Sequence, residues 1–287
     1  MSDARLETHR QRLVGLAYRM LGSVDDAEEA AQEAFLRYQA AGAPDVDNLQ
    51  AWLTRVCVRI CLDRIKRSAA TQEVYPGQWL PEPFVDAENR AAIDETLSMA
   101  LLVGMRQLSA AERAVFLLHD IFDYRFAEVA DILDLSADNC RQLAVRARRK
   151  IRRPERAPRS SSEEFDRVTG AFLAAVRDGD IDRLRDLLAE NVRLTSDGGG
   201  QVSAAPRPIA GRDKVATFLH RVFAPARKSA VLRETPVHFN GAPGVLLTAE
   251  GHSPSAYHLE IDDGRIVGIF VQRNPDKLRR LLRSACG

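Results

Sequence analysis

No stretch of about 18 consecutive apolar residues occurs in the 287-residue chain, which excludes an ordinary membrane-spanning helix. An excess of charge of either sign is also missing: 41 Lys and Arg stand against 40 Asp and Glu, a formal net charge of +1. Without a global basic field, nucleic-acid binding has to come from local patches. Cysteine is sparse. Cys57, Cys61, Cys140 and Cys286 follow no secretory segment and lack the density of a disulfide framework, so a reduced cytoplasm is the expected location. Cys57 and Cys61 lie one helical turn apart, where two Cα atoms rarely meet the ~4.4 to 6.8 Å separation and Cβ directions of a disulfide, and both are expected as core thiols. There is no metal-ligand spacing and no internal repeat, and neither a metal nor a cofactor is expected. What remains is a length sufficient for two or three modules, each with its own core.

The most informative stretch runs from Arg125 to Ile151. Phe126, Val129, Ala130 and Leu133 recur at helical spacing, with Ile132 and Leu135 extending the apolar patch toward a turn. Ser136 is placed to N-cap a second helix. In that helix Cys140, Leu143, Ala144, Ala147 and Ile151 share one face, while Asn139, Arg141, Gln142, Val145 and Arg146 point elsewhere. Arg148, Arg149, Lys150, Arg152 and Arg153 crowd its C-terminal end, where cations complement the helix dipole and can meet phosphates. Two helices at this spacing, the second basic, predict a helix-turn-helix whose second helix enters the major groove.

Upstream, Leu13, Leu16, Ala17, Met20 and Leu21 define one helix ending at Gly22. Ser23 and Asp26 resemble a capping box opening a second, with Ala27, Ala30, Ala31, Ala34 and Phe35 inward and Asp25, Asp26, Glu28, Glu29 and Glu33 on an acidic face. That face is either simply solvated or a docking surface. After an AAGAPDVD loop at 40–47, a helix from about Asn48 to Lys66 buries Leu49, Trp52, Leu53, Val56 and Ile60 and presents Arg55, Arg59 and Lys66. A loop followed by a basic helix bearing an aromatic suits single-stranded or melted DNA, where cations hold the backbone and a base leaves the stack. Residues 71–97 read as a linker, yet YPGQWLPEPF at 75–84 carries aromatics that an unstructured linker could not bury, so this segment is expected to dock. Ser109 and Glu112 predict a capping box for the helix before the opening stretch. PERAPRSSSEE at 154–164 marks a domain boundary. Beyond it, helices at 165–176, 181–188 and about 214–222 mix with strands at 192–196, 245–249, 257–261 and 266–271, the last two joined by an Asp262-Asp263-Gly264 hairpin. Together these predict a separate α+β domain built on a curled antiparallel sheet.

With these residues in view the chain resembles extracytoplasmic-function sigma factors of the group with a C-terminal SnoaL-like extension, the SigJ-like group. DDAEEAAQEAFLRY resembles region 2.2, NLQAWLTRVCVRICLDRIKR regions 2.3 and 2.4, and the segment from Leu108 to Ile151 region 4. WLPEP at 79–83, DGGG at 197–200 and NPDKL at 274–278 resemble motifs of the extended group. Two departures stand out: Gln201 replaces the Lys usual after DGGG, and Asp134 occupies a turn where Gly is common, although Asp tolerates the left-handed conformation.

The resemblance implies a multidomain fold: an all-α region 2 bundle (1–70), the linker, a region 4 helix-turn-helix (98–153), a second linker (154–163) and an α+β NTF2-like, SnoaL-like cone (164–287). It further implies a non-enzymatic factor for promoter-specific initiation, working on the β′ clamp helices and β flap of core RNA polymerase and on promoter DNA. Asp25, Asp26, Glu28, Glu29 and Glu33 would meet polymerase. Asp45, Asp47, Asn48, Trp52, Arg55 and Arg59 would hold the melted −10 element. Asn139, Arg141 and Gln142 would read −35 base edges, with Arg146, Arg148 and Arg149 on phosphates. Trp79, Leu80, Pro81, Asp197, Gly198, Gly199, Gly200, Asn274, Pro275 and Asp276 would lie at a regulatory contact between the cone and regions 2 and 4, with no separate anti-sigma factor required.

Two other functions compete. One is a one-component helix-turn-helix regulator whose cone senses a ligand; it does not need a Trp-bearing helix after a loop. The other is a SnoaL-like enzyme, for which Asp197, His238, His252 and His258 are the available general bases.

Overall fold

A computed structural model describes residues 3–42, 46, 48–70, 75–85, 99–151, 161–229 and 232–286, and these fall into two compact units. One takes the described residues 3–70 and 101–151; the other takes 75–85, 99–100 and 161–286. Asp45 and Asp47 of the expected −10 set, together with Arg152 and Arg153, lie outside the described residues.

The first unit is helical: α1 (Asp3–Leu21), α2 (Val24–Ala40), α3 (Leu49–Ala70), α4 (Met99–Gly104, whose first two residues belong to the other unit), α5 (Ala110–Phe116), α6 (Phe126–Leu133) and α7 (Ala137–Lys150). Leu13, Tyr18, Met20, Ala27, Ala30, Leu53 and the two cysteines of α3, Cys57 and Cys61, are buried where α1, α2 and α3 meet. A hydrogen bond with Cys57, together with burial, pushes the Cys61 thiol above its usual pKa, as expected of core thiols. Ser109 and Glu112 form the reciprocal capping box on α5. At α2 only half of such a box exists: Ser23 Oγ accepts from Asp26 N at 3.3 Å, but the Asp26 carboxylate turns to Arg64. The last turn of α5 widens into a π-helix over Leu117–Ile121. Arg113 donates to the carbonyls of Met105 and Met20, tying α5 to the end of α1. Asp134 adopts φ 57°, ψ 50°, so the turn keeps its left-handed residue without glycine.

The second unit contains α8 (Ser162–Asp178), α9 (Ile181–Leu187), α10 (Arg212–Ser229) and α11 (Pro275–Cys286) around a six-stranded sheet: β1 (Leu188–Asp197), β2 (Ile209–Ala210), β3 (Arg233–Phe239), β4 (Ala242–Ala249), β5 (His252–Asp262) and β6 (Arg265–Gln272), in the order β2-β1-β6-β5-β4-β3. Asp263 and Gly264, both at positive φ, close the expected β5–β6 hairpin. The sheet is not wholly antiparallel as the sequence predicted, because β1 runs parallel to β6. Tight turns force antiparallel pairing only between consecutive strands, and β1 meets β6 without one, the chain having first crossed to the far edge through α10. Strands β2 and β3 were not anticipated. The first has two residues, and the second alternates half-buried and exposed positions too weakly to mark a face.

Period-two alternation divides the sheet into two apolar faces. Leu194, Val245, Leu247, Tyr257, Leu259, Ile261, Ile269 and Val271 pack beneath α8 and α10 with Phe172, Leu219 and Phe223. The intervening residues, among them Leu246, His258 and Phe270, form the other face, and α11 packs against β3 and β5. The segment 75–85 is fastened to this unit as well. Phe84 N donates to Asn240 Oδ1 at 2.8 Å while Asn240 N donates back to Phe84 O at 3.0 Å, and Leu80, Pro81 and Phe84 are buried.

Candidate nucleic-acid interface and linker anchor

Helix α7 presents two chemically distinct faces. Cys140, Leu143, Ala144 and Ala147 are buried against the unit, whereas Arg141, Gln142, Val145, Arg146 and Arg149 are exposed and Asn139 is half-buried. The capping Ser136 Oγ accepts from Asn139 N at 3.2 Å, which sets where the outward face begins. Arg141 pairs with Asp138 one turn away, and its guanidinium lies 5.7 Å from the Phe126 ring, so it is held along the surface of the motif. Both members of that pair are exposed, and such pairs contribute only ~0 to 1 kcal/mol, so a base edge can displace it. Arg148 differs from its neighbours: its Nε donates to Asp120 at 2.7 Å, which ties the expected phosphate ligand to the π-helical turn. Val145, 45% exposed between cations, was not among the expected contacts. A lone exposed β-branched residue on the outward face is the signal that could have found it, since apolar side chains read thymine methyls.

Three of the expected −10 residues, Asn48, Trp52 and Arg55, border a cleft of about 700 Å³ within the helical unit. Asn48, Trp52 and Arg55 line one side, with Arg59 one turn further along the exposed face of α3. Phe122, Tyr124, Glu128, Asp131 and Ile132, from the region preceding and including α6, line the other. Asn48 also caps α3, its Oδ1 accepting from Ala51 N at 2.9 Å, and Trp52 stacks edge-on against Tyr38 with centroids 5.3 Å apart. Thr54 Oγ1 and Arg12 both reach the Tyr124 hydroxyl at 3.3 Å.

The acidic face of α2 is partly engaged. Arg64 lies 3.3, 3.2 and 3.7 Å from Asp26, Glu29 and Glu33, and Glu33 also pairs with Arg37. Asp25 is exposed and Glu28 half-buried, and Leu36 on the same helix is 56% exposed.

In the second unit the three marked motifs converge on one carboxylate. Asp197, 0% exposed at the end of β1, accepts from Tyr75 Oη at 2.6 Å, Leu80 N at 2.9 Å, Gly199 N at 2.9 Å and Lys277 Nζ at 2.8 Å. Lys277 Nζ also donates to Leu80 O at 2.7 Å and sits between the rings of Tyr75 and Trp79, 4.5 and 4.6 Å from their centroids. Asn274 caps α11, its Oδ1 accepting from Asp276 N, with Pro275 at the first helical position, and its Nδ2 donates to Tyr75 Oη at 2.9 Å. The glycines fit because nothing larger would. A Cβ on Gly199 would lie 2.3 Å from the Asn274 amide, and one on Gly200 2.6 Å from Pro76, and both residues have positive φ. Gln201 donates to Asp276 at 2.6 Å, so the residue in place of the usual Lys still bridges to α11, as a hydrogen bond to a carboxylate instead of an ion pair. Trp79, Leu80 and Pro81 of the linker thus meet DGGG and NPDKL. Lys277 and Tyr75, which complete the charge and the cage, were missed although Lys277 lies inside NPDKL and Tyr75 in the aromatic segment that leads into WLPEP.

The four residues considered as general bases do not form a site. Asp197 is committed to this anchor. His258 is buried between Phe239 and Phe270, and burial lowers its pKa to about 4. His252 Nδ1 lies 2.9 Å from Glu250 O at the surface, and neither it nor His238 lines the cavity under the sheet.

A helix-turn-helix with a basic outward face, a helical bundle carrying an aromatic cleft, and an α+β domain holding the segment between them define a DNA-binding transcription factor with an appended domain. Residues 6–71 match the Sigma-70 region 2 family model and residues 98–151 the Sigma-70, region 4 model. The chain is 34% identical, over 96% of its length and 93% of the relative's, to the ECF RNA polymerase sigma factor SigJ of Mycobacterium tuberculosis (strain ATCC 25618 / H37Rv). It is 36% identical, over 96% of its length and 94% of the relative's, to a probable ECF RNA polymerase sigma factor, SigI, of the same strain. The crystal structure of M. tuberculosis SigJ matches the fold with a TM-score of 0.76 at 32% identity, covering 96% of this chain and 97% of that one. The chain belongs to the extracytoplasmic-function sigma factors of RNA polymerase.

Proposed function

We propose that this sigma factor grips promoter DNA at two points and that its own C-terminal domain limits access to the two-point grip by holding the linker. In this reading Asn139, Arg141 and Gln142 read −35 base edges, Val145 adds an apolar contact, and Arg146, Arg148 and Arg149 hold phosphates. Asn48, Trp52, Arg55 and Arg59, with Asp45 and Asp47 of the preceding loop, hold the −10 element. The outward acids of α2 dock on the polymerase β′ clamp helices, and region 4 on the β flap.

The observation that carries the regulatory part is the anchor at Asp197. Positions −35 and −10 are separated by about 25 base pairs, roughly 85 Å of B-DNA at ~3.4 Å per pair. In the helical unit, however, α3 packs directly on α6, and the Trp52 cleft is walled by Tyr124 and Ile132. Simultaneous engagement of both elements therefore requires region 4 to leave region 2, and the linker has to span the gap. Burying residues 75–85 on the cone shortens the chain available for that span.

Reconstituted transcription with purified core polymerase tests the reading. Lys277→Ala, which removes the cation from the anchor, is expected to raise output several-fold over the unaltered full-length chain. Output equal to that of the unaltered chain, from a variant shown to be folded, would overturn it. The proposal needs no separate anti-sigma factor, and the purified system contains none.

A further inference from the structure

Between the sheet and α10 lies a cavity of about 670 Å³, within the range of small-molecule sites, which the grip and the anchor do not use. Its walls are apolar: Leu194, Ile209, Phe218, Leu219 and Val271 among them. Its charged lining is of one sign. Arg207, Lys214 and Arg273 border it, and no Asp or Glu does. Neither Arg207 nor Lys214 has an acidic partner among the described residues. Arg273 is held in place by hydrogen bonds to Ser255 Oγ and Ser203 O, which leaves guanidinium donors uncommitted. Tyr257 lines it as well; the residue is 6% exposed, and its hydroxyl, without a hydrogen-bond partner among the described residues, is available to the cavity. Burial pushes its pKa well up, so it stays a neutral donor.

We infer that the cavity binds an amphipathic monocarboxylate, a hydrocarbon body against the apolar walls with its carboxylate among the Arg207, Lys214, Arg273 and Tyr257 donors. An apolar cation would meet three like charges, and a sugar or a nucleotide would leave its polar groups unpaired against Leu194, Ile209 and Val271. The cavity also has a direct line to the anchor. Ser196 lines it and Asp197 follows on the same strand, Arg273 N donates to Asp197 O at 2.7 Å, and the wall residue Pro206 accepts from Gln78 of the linker at 3.2 Å. Occupancy thus bears on the segment that spans the two promoter contacts.

Calorimetric titration of the full-length protein tests the site, with decanoate as the probe and decyltrimethylammonium, of equal chain length and opposite charge, as the control. Saturable binding of one decanoate per chain is expected, weakened about tenfold by Tyr257→Phe and by Lys214→Gln, the worth of one charge-assisted hydrogen bond each. Because the Tyr257 hydroxyl is unpartnered, Tyr257→Phe should leave the melting temperature unchanged, which separates loss of binding from loss of fold. Ile209→Trp, which fills the cavity, should abolish binding. Absence of saturation, equal binding by the Tyr257→Phe and Lys214→Gln variants, or equally tight binding of the cationic control would each overturn the inference. The titration contains no polymerase, so its outcome is independent of the promoter reading.

Discussion

Each unit pairs a basic side chain with a carboxylate at nearly the same distance, and the surroundings give the two pairs opposite uses. Arg148 meets Asp120 at 2.7 Å with the two side chains 48% and 11% exposed; Lys277 meets Asp197 at 2.8 Å with the two 15% and 0% exposed. Water reaches the half-exposed Arg148 guanidinium of the first, so that cation can be exchanged for a phosphate. Burial makes the second hard to break, since removing Lys277 strands the buried carboxylate and removing Asp197 strands the ammonium between its two aromatic rings. Reversible recognition is therefore expected on the helical surface and durable fastening within the cone. Charge alone does not tell them apart.

The largest effect that would test this contrast is at the anchor. Lys277→Ala should cost about 3 to 5 kcal/mol in the C-terminal unit, read as a lower denaturant midpoint for that transition. A loss below about 1 kcal/mol would place the pair in the same class as Arg148 and Asp120. The same unit should weaken in acid through His258. Its folded pKa is about 4 against an ordinary 6.5, so the unfolded chain takes up a proton first as the pH falls. Stability present above pH 6.5 is lost progressively down to about pH 4, by roughly 3 kcal/mol in total. His258→Phe should flatten that slope in pH-dependent unfolding.

Smaller effects are expected on the helical side. Arg141→Ala should cost ~1 to 3 kcal/mol of binding at one base position of the −35 element, while Arg149→Ala should weaken all sequences alike and reduce the salt slope by about 1. Binding titrations on a panel of −35 variants distinguish the two, and an unchanged preference in Arg141→Ala would remove it from the base-reading set. The smallest change is Asp120→Ala, which should alter stability by no more than about 1 kcal/mol yet tighten DNA binding by releasing Arg148. Weaker binding would instead mean that Asp120 positions Arg148 for its phosphate.

Most of the helical unit was legible in the chain, because its rules are local. Ser109 with Glu112, Ser136, the left-handed Asp134 and the 3.6-residue recurrence of Val129, Ala130, Leu143 and Ala147 each depend on neighbours within a few positions. The helix opened by Asn274 and Pro275 obeyed the same rules and went unread, its residues being taken only as a motif. The parallel pairing of β1 with β6 was out of reach, as was the short β2, because partner choice between strands that no tight turn joins is settled by packing.

The amino-acid sequence by itself determined the helix-turn-helix, the aromatic-bearing basic helix, the α+β character of the last 120 or so residues and the presence of three marked motifs, since composition and short-range periodicity suffice for these. Only the tertiary structure decided that WLPEP, DGGG and NPDKL are one object. Asp197, Tyr75 and Lys277 are separated by some 80 to 200 positions in the chain and by a single hydrogen bond in space. Tertiary structure also decided which cations face solvent and which are spent inside. Burial, which turns a charge from a surface contact into a fastening, belongs to the folded arrangement and is written in no single stretch of residues.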